Sequence, residues 1–154
     1  MRKGFLSSYT AKIILINVIV FVLSLIFLGT LGEQALSWFA LKPSTLLAGE
    51  KIWTVFTSIF MHGSIGHLLA NMVSLFFIGG FVERLIGKKR YLVFYLLSGI
   101  FAALFYAGLS FLFGGSELGA KIVGSPQEFA LGASGAIFGL LGLLALLTPR
   151  NRVY

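Results

Sequence analysis

The strongest constraint in this sequence is a set of long apolar runs that carry almost no charge. Ile13 to Leu31 is uncharged over about 19 residues, and at 1.5 Å per residue a helix of that length reaches across a bilayer core. His67 to Ile86, interrupted by Asn71 and glycines and closed by Glu83 and Arg84, is a second such run. Tyr91 to Phe113 and Leu131 to Leu147 are the third and fourth. The composition agrees: 58% hydrophobic and 11% charged residues, with a mean hydropathy of +0.97, belong to the membrane class. The expected fold is an all-α membrane protein, a polytopic helical bundle of about four transmembrane helices, with residues 1–154 forming one membrane domain.

A first apolar run can also be a secretory signal. Here the core is too long and no small-residue cleavage site follows it cleanly, so it reads as a retained span. Gly32 to Gly66 differs in kind, with Pro43, several polar residues, and aromatics at Trp38, Phe39, Trp53, Phe56 and Phe60. It is too polar to span and too aromatic for an ordinary aqueous loop, which predicts segments lying in the outer membrane interface. Gly114 to Phe129 reads as a loop. After Leu147, Pro149 stops the helix, and Arg150 and Arg152 mark an aqueous boundary.

Charge sets the expected orientation. If the spans alternate, nine basic residues (Arg2, Lys3, Lys12, Arg84, Lys88, Lys89, Arg90, Arg150 and Arg152) fall on one side. Only three, Lys42, Lys51 and Lys121, fall on the other, together with Glu33, Glu50, Glu117 and Glu128. The positive-inside rule then puts both ends of the chain in the cytoplasm, in a multi-pass protein of what reads as a prokaryotic cell membrane. The same bias accounts for the net charge of +7 without nucleic acid, since no basic patch with interleaved aromatics lies outside the spans. The chain has no cysteine, which excludes a disulfide framework and a thiolate metal site.

Polar side chains within spans are costly and each needs a reason. His67 opens the second span, and Asn71 follows one helical turn later on the same face. Ser134 stands near the start of the fourth, between glycines. Glu83 lies 16 residues beyond His67, and Arg150 lies 16 beyond Ser134, about 24 Å of helix in each case. His67 and Ser134 are therefore expected at similar depth, below the outer surface.

Plainer readings compete. A serine beside glycine in an apolar helix is commonly a packing residue with its hydroxyl bonded to a carbonyl. Gly135-xxx-Gly139 is a frequent helix-contact pattern, and His67 and Asn71 could bond each other or a neighbouring helix. Two histidines five apart with no nearby carboxylate make a poor metal site. Nor is the serine in the Gly-x-Ser-x-Gly elbow of α/β-hydrolases, because Ala136 takes the last glycine's place.

In combination the pattern is more specific. His62-xxxx-His67-xxx-Asn71, followed by Gly132-Ala133-Ser134-Gly135, resembles the rhomboid family of intramembrane serine proteases. Trp53-Thr54 and Gly79-Gly80-xx-Glu83-Arg84 look like that family as well, and residues 50–154 resemble its peptidase domain, incomplete at the C-terminus. The resemblance implies a six-span core of which this chain holds the first four. It also implies a Ser–His dyad that cleaves transmembrane protein substrates within the lipid bilayer near its outer face, with no cofactor and no metal. Ser134 would match the nucleophile, and His67 and Asn71 would match the side chains that steady the oxyanion. Phe138 falls where the family often has an aromatic against the catalytic imidazole, and Glu83 and Arg84 would be structural.

Two departures stand out. Thr54 occupies a position where many members have arginine, which places a contact of the aromatic loop in question. The family's base is a histidine on the sixth span, whereas this chain's only histidines, His62 and His67, precede the serine. A serine hydroxyl without a base is a weak nucleophile, so the chain as given is expected to be inactive and to be part of a longer enzyme. The alternatives are a catalytically inactive rhomboid-like protein that binds client transmembrane helices, and a small transporter. The transporter would need acidic residues inside spans or paired half-helices, and neither is present. Substrate identity and oligomeric state are not legible.

Overall fold

The computed structural model describes residues 7–31 and 33–148. Arg2, Lys3, Pro149, Arg150 and Arg152 lie outside the described residues. The described chain is all-α, with α1 (Tyr9–Leu31), α2 (Glu33–Phe39), α3 (Pro43–Leu47), α4 (Thr54–Thr57), α5 (Ile65–Ser74), α6 (Gly80–Ile86), α7 (Lys88–Phe113), α8 (Glu117–Val123) and α9 (Ser134–Leu147). A 3₁₀ turn, Ser58–Phe60, follows α4. One π-helical turn, Leu75–Gly79, joins α5 to α6.

Three helical segments are long and apolar enough to cross a membrane: Tyr9–Phe27, Ile65–Ile86 and Lys88–Phe113. Their outward faces carry large apolar side chains, such as Leu25, Phe77 and Phe101, more than half exposed and suited to lipid. The fourth expected span is shorter than its apolar run. α9 has 14 residues, about 21 Å, because Gly132 at φ 126° breaks the backbone before Ser134. The two expected loops are also more ordered than the sequence suggested, since they hold α2, α3, α4 and α8.

Glu83 ties the second span to the first. Its carboxylate accepts from Ser8 Oγ at 2.6 Å, Tyr9 N at 2.9 Å, Thr10 N at 2.8 Å and Thr10 Oγ1 at 2.7 Å. It thereby satisfies orphan N–H groups at the start of α1 and places a negative charge at the positive end of the helix dipole. This explains why α1 begins at Tyr9, four residues before the apolar run. Lys88 Nζ donates to the Ser7 carbonyl at the same end of the bundle.

At the other end, Leu41 and Ala130 exchange backbone hydrogen bonds of 3.0 and 2.8 Å, and Ser44 N donates to Pro126 O at 2.9 Å. The loop after α1 thus meets the loop after α7, and the spans alternate in direction, as the charge argument required. α9 packs along α7 through small residues. A Cβ at Gly135 would stand 2.5 Å from Ala102 Cβ, and one at Gly139 would stand 2.4 Å from Ser98 Cβ, so only glycine allows this approach. Tyr91, Tyr95, Leu75, Val82 and Leu140 fill the shared core.

The aromatic loop is anchored without an arginine. Trp38 and Trp53 stack at 5.8 Å, and Trp53 Nε1 donates to the Trp38 carbonyl at 2.8 Å. Lys51 Nζ lies 5.1 Å from the Trp38 ring centroid and donates to Ser37 O at 3.1 Å. Lys51 reaches there with φ 48°, a left-handed conformation that costs a β-carbon-bearing residue about 1–2 kcal/mol. Thr54 is buried and donates to Lys51 O at 2.7 Å, so it fixes the backbone that aims this lysine.

Candidate active site

Ser134 is the first residue of α9, with the buried Ala133 as its N-cap and no side-chain cap. The N–H groups of this first turn therefore have no partner within the helix and point outward from its start. Upstream, Gly132 N donates to Ser58 O at 2.9 Å, which fastens the approach to Ser134 onto the 3₁₀ turn. Among the described residues the Ser134 hydroxyl bonds to no carbonyl, in contrast to a packing serine such as Ser24, which donates to Phe21 O at 2.8 Å.

Ser64 caps α5 by accepting the His67 backbone N–H at 3.1 Å, and so sets His67 in the first turn of that helix. The structure brings His67 and Asn71 to the backbone that leads into Ser134. A Cβ at Gly132 would meet His67 Cε1 and Nε2 at 2.8 Å and Asn71 Nδ2 at 3.5 Å. The imidazole and the amide occupy the space that any other residue at 132 would fill. His67 and Asn71 thus lie against Gly132, two residues before Ser134 in the chain.

His67 and Asn71 do not bond each other. Asn71 Nδ2 instead lies 3.0 Å from His62 Nε2, and the rings of His62 and His67 meet edge to face at 5.1 Å and 63°. His62 opens the His62-xxxx-His67-xxx-Asn71 spacing in the sequence, but its contact with Asn71 was not foreseen from that spacing. His62 is 3% exposed. Burial, and then the neighbouring charge of His67, lower its pKa from 6.5 to about 4, partly opposed by the Phe60 carbonyl. It is therefore neutral at ordinary pH.

A cavity of about 270 Å³ opens beside Ser134, floored by Gly99, Ala102 and Ala103 of α7 and bordered by Tyr106 and Phe138. Phe138 stands one turn below Ser134 and is 71% exposed.

Residues 49–154, more than half of the chain and including every residue of this cluster, match the Rhomboid domain family. The chain belongs to the rhomboid family. It is 34% identical over 145 residues to Rhomboid protease GluP of Bacillus subtilis (strain 168), covering 94% of this chain and 25% of that protein. RHOMBOID-like protein 1 of Arabidopsis thaliana is 37% identical over 105 residues, 68% of this chain and 23% of that protein. Inactive RHOMBOID-like protein 8 of Arabidopsis thaliana is 34% identical over 116 residues, 75% of this chain and 27% of that protein.

The chain thus spans about a quarter of the length of these rhomboid relatives. They come from a bacterium and a plant, so similarity does not carry the expected prokaryotic origin. One is named a protease and one inactive, so membership makes this an integral membrane protein of a protease family and leaves its own chemistry to the site.

Proposed function

We propose that this chain is part of an intramembrane serine endopeptidase in which Ser134 attacks a peptide carbonyl of a transmembrane substrate. The observation that carries this reading is the convergence at Gly132: a glycine lets one imidazole and one amide lie against the backbone leading to an uncapped helix start and its serine. In the first step Ser134 Oγ bonds to the carbonyl carbon, and the hydroxyl proton passes to a general base. The negative charge on the carbonyl oxygen is met by His67, Asn71 and backbone N–H groups at the start of α9. Such preorganised donors, in a water-poor site, are worth about 2.7–4 kcal/mol of barrier each. The base returns the proton to the leaving amine, an acyl-enzyme remains, and water hydrolyses it.

The base in this scheme comes from outside these 154 residues. His67 and His62 face Gly132 and Asn71, and neither bonds the serine. The excess of basic residues at the α1 start and the α6–α7 junction supports a cytoplasmic N-terminus and cleavage near the outer face. The second reading, an inactive protein that holds client helices, is favoured by the inactive-named relative.

Labelling separates the two. In the full-length protein, a fluorophosphonate should modify Ser134, and Ser134→Ala should abolish both labelling and cleavage of a transmembrane substrate. A folded full-length protein that takes up no label would leave only the client-binding reading.

A further inference from the structure

We propose that His62 is a positioning residue, which holds the Asn71 amide in one orientation so that its second Nδ2–H faces the oxyanion formed beside Ser134. This rests on the reading of Ser134 as the nucleophile. A primary amide has two faces of opposite character, with two N–H donors on one side and a carbonyl acceptor on the other. Turned one way Asn71 would stabilise an oxyanion, and turned the other way its Oδ1 would repel one. Something must choose.

The chain makes the choice by burial and by one hydrogen bond. His62 and Asn71 are 3% and 7% exposed, so water does not compete for either group. Asn71 Nδ2 stands 3.0 Å from His62 Nε2, and the same nitrogen lies on the Gly132 side, 3.5 Å from where a Cβ there would be. One N–H is thus committed to the imidazole, and the other is left toward the approach to Ser134.

The arrangement requires Nε2 to be the acceptor and the ring proton to sit on Nδ1. Nδ1 is buried and has no hydrogen-bond partner among the described residues, so the contact with Asn71 is the ring's one hydrogen bond there. The His62 ring also meets His67 edge to face, so one buried side chain touches both side-chain donors of the proposed oxyanion site.

The test is a double-mutant cycle on the full-length protein with a transmembrane peptide substrate. His62→Phe keeps a ring and removes the acceptor, and His62→Ala removes both. Each should lower kcat about 10- to 100-fold with KM within about twofold, since the loss falls on the transition state. His62→Gln, whose Oε1 can accept from Asn71, should recover most of kcat. In an Asn71→Ala background the His62 substitutions should cost less than about threefold, because the group they position is gone.

Full additivity with Asn71→Ala, an unchanged kcat in His62→Phe or His62→Ala, or a His62→Gln enzyme as slow as His62→Ala would each overturn the inference while Ser134 labelling stands. A wild-type protein that neither cleaves nor takes up label at Ser134 would overturn the nucleophile reading, and this inference with it. Thermal unfolding of each variant, run alongside, fixes the folded fraction to which kcat is normalised.

Discussion

Gly132 carries two demands that no other residue meets together. Its φ of 126° is disfavoured for a residue with a β-carbon, and that carbon would press on the His67 ring at 2.8 Å. Gly132→Ala is expected to destabilise the fold by about 1–3 kcal/mol and to displace the imidazole. In the full-length protein the rate of Ser134 labelling should fall at least about tenfold, as misplacement of a catalytic group by about an ångström costs that much or more. A wild-type labelling rate in a folded Gly132→Ala protein would show that His67 does not depend on this glycine. The spacing of Ser134, His67 and Asn71 was legible in the sequence, because helical periodicity and the span alternation fix their depth. The His62–Asn71 pair was not legible, because it depends on the path of a short loop between the 3₁₀ turn and Ser64.

At the scale of elements, the helices are set by apolar length and their ends by local chemistry. α1 starts where Glu83, 7% exposed and serving four donors, caps it from another span. Glu83→Gln leaves a single side-chain acceptor and turns an amide N–H toward the α1 donors. It should lower stability by about 1–3 kcal/mol, read as a drop in thermal unfolding temperature in detergent micelles. No change in that temperature would mean that α1 does not rely on the carboxylate. The sequence marked Glu83 as structural only through the family pattern. Its partners at Ser8 and Thr10, more than 70 residues away, are set by packing. α9 shows the converse: its apolar run begins at Leu131, yet its helix waits until Ser134, because the backbone at Gly132 takes a conformation no helix contains.

At the scale of the whole molecule, a buried neutral histidine makes folding depend on pH. The folded chain keeps His62 unprotonated down to about pH 4, whereas an exposed histidine binds a proton near 6.5. Between those values the unfolded state holds more protons, so stability should fall as pH drops from about 6.5 to about 4. Unfolding measured across that window should show the slope in the wild type and a shallower one in His62→Gln. By itself the sequence determined that this chain is a bundle of membrane-spanning helices running in alternate directions, since apolar length and charge bias are properties of each segment alone. It also pointed to the family, and to His67 and Asn71, which lie against Gly132. Only the tertiary structure decided which helices touch, that Lys51 anchors the aromatic loop at Trp38 and Ser37, and that His62 joins the site. Those outcomes depend on close backbone approach and on hydrogen bonds between distant residues, which no periodicity encodes.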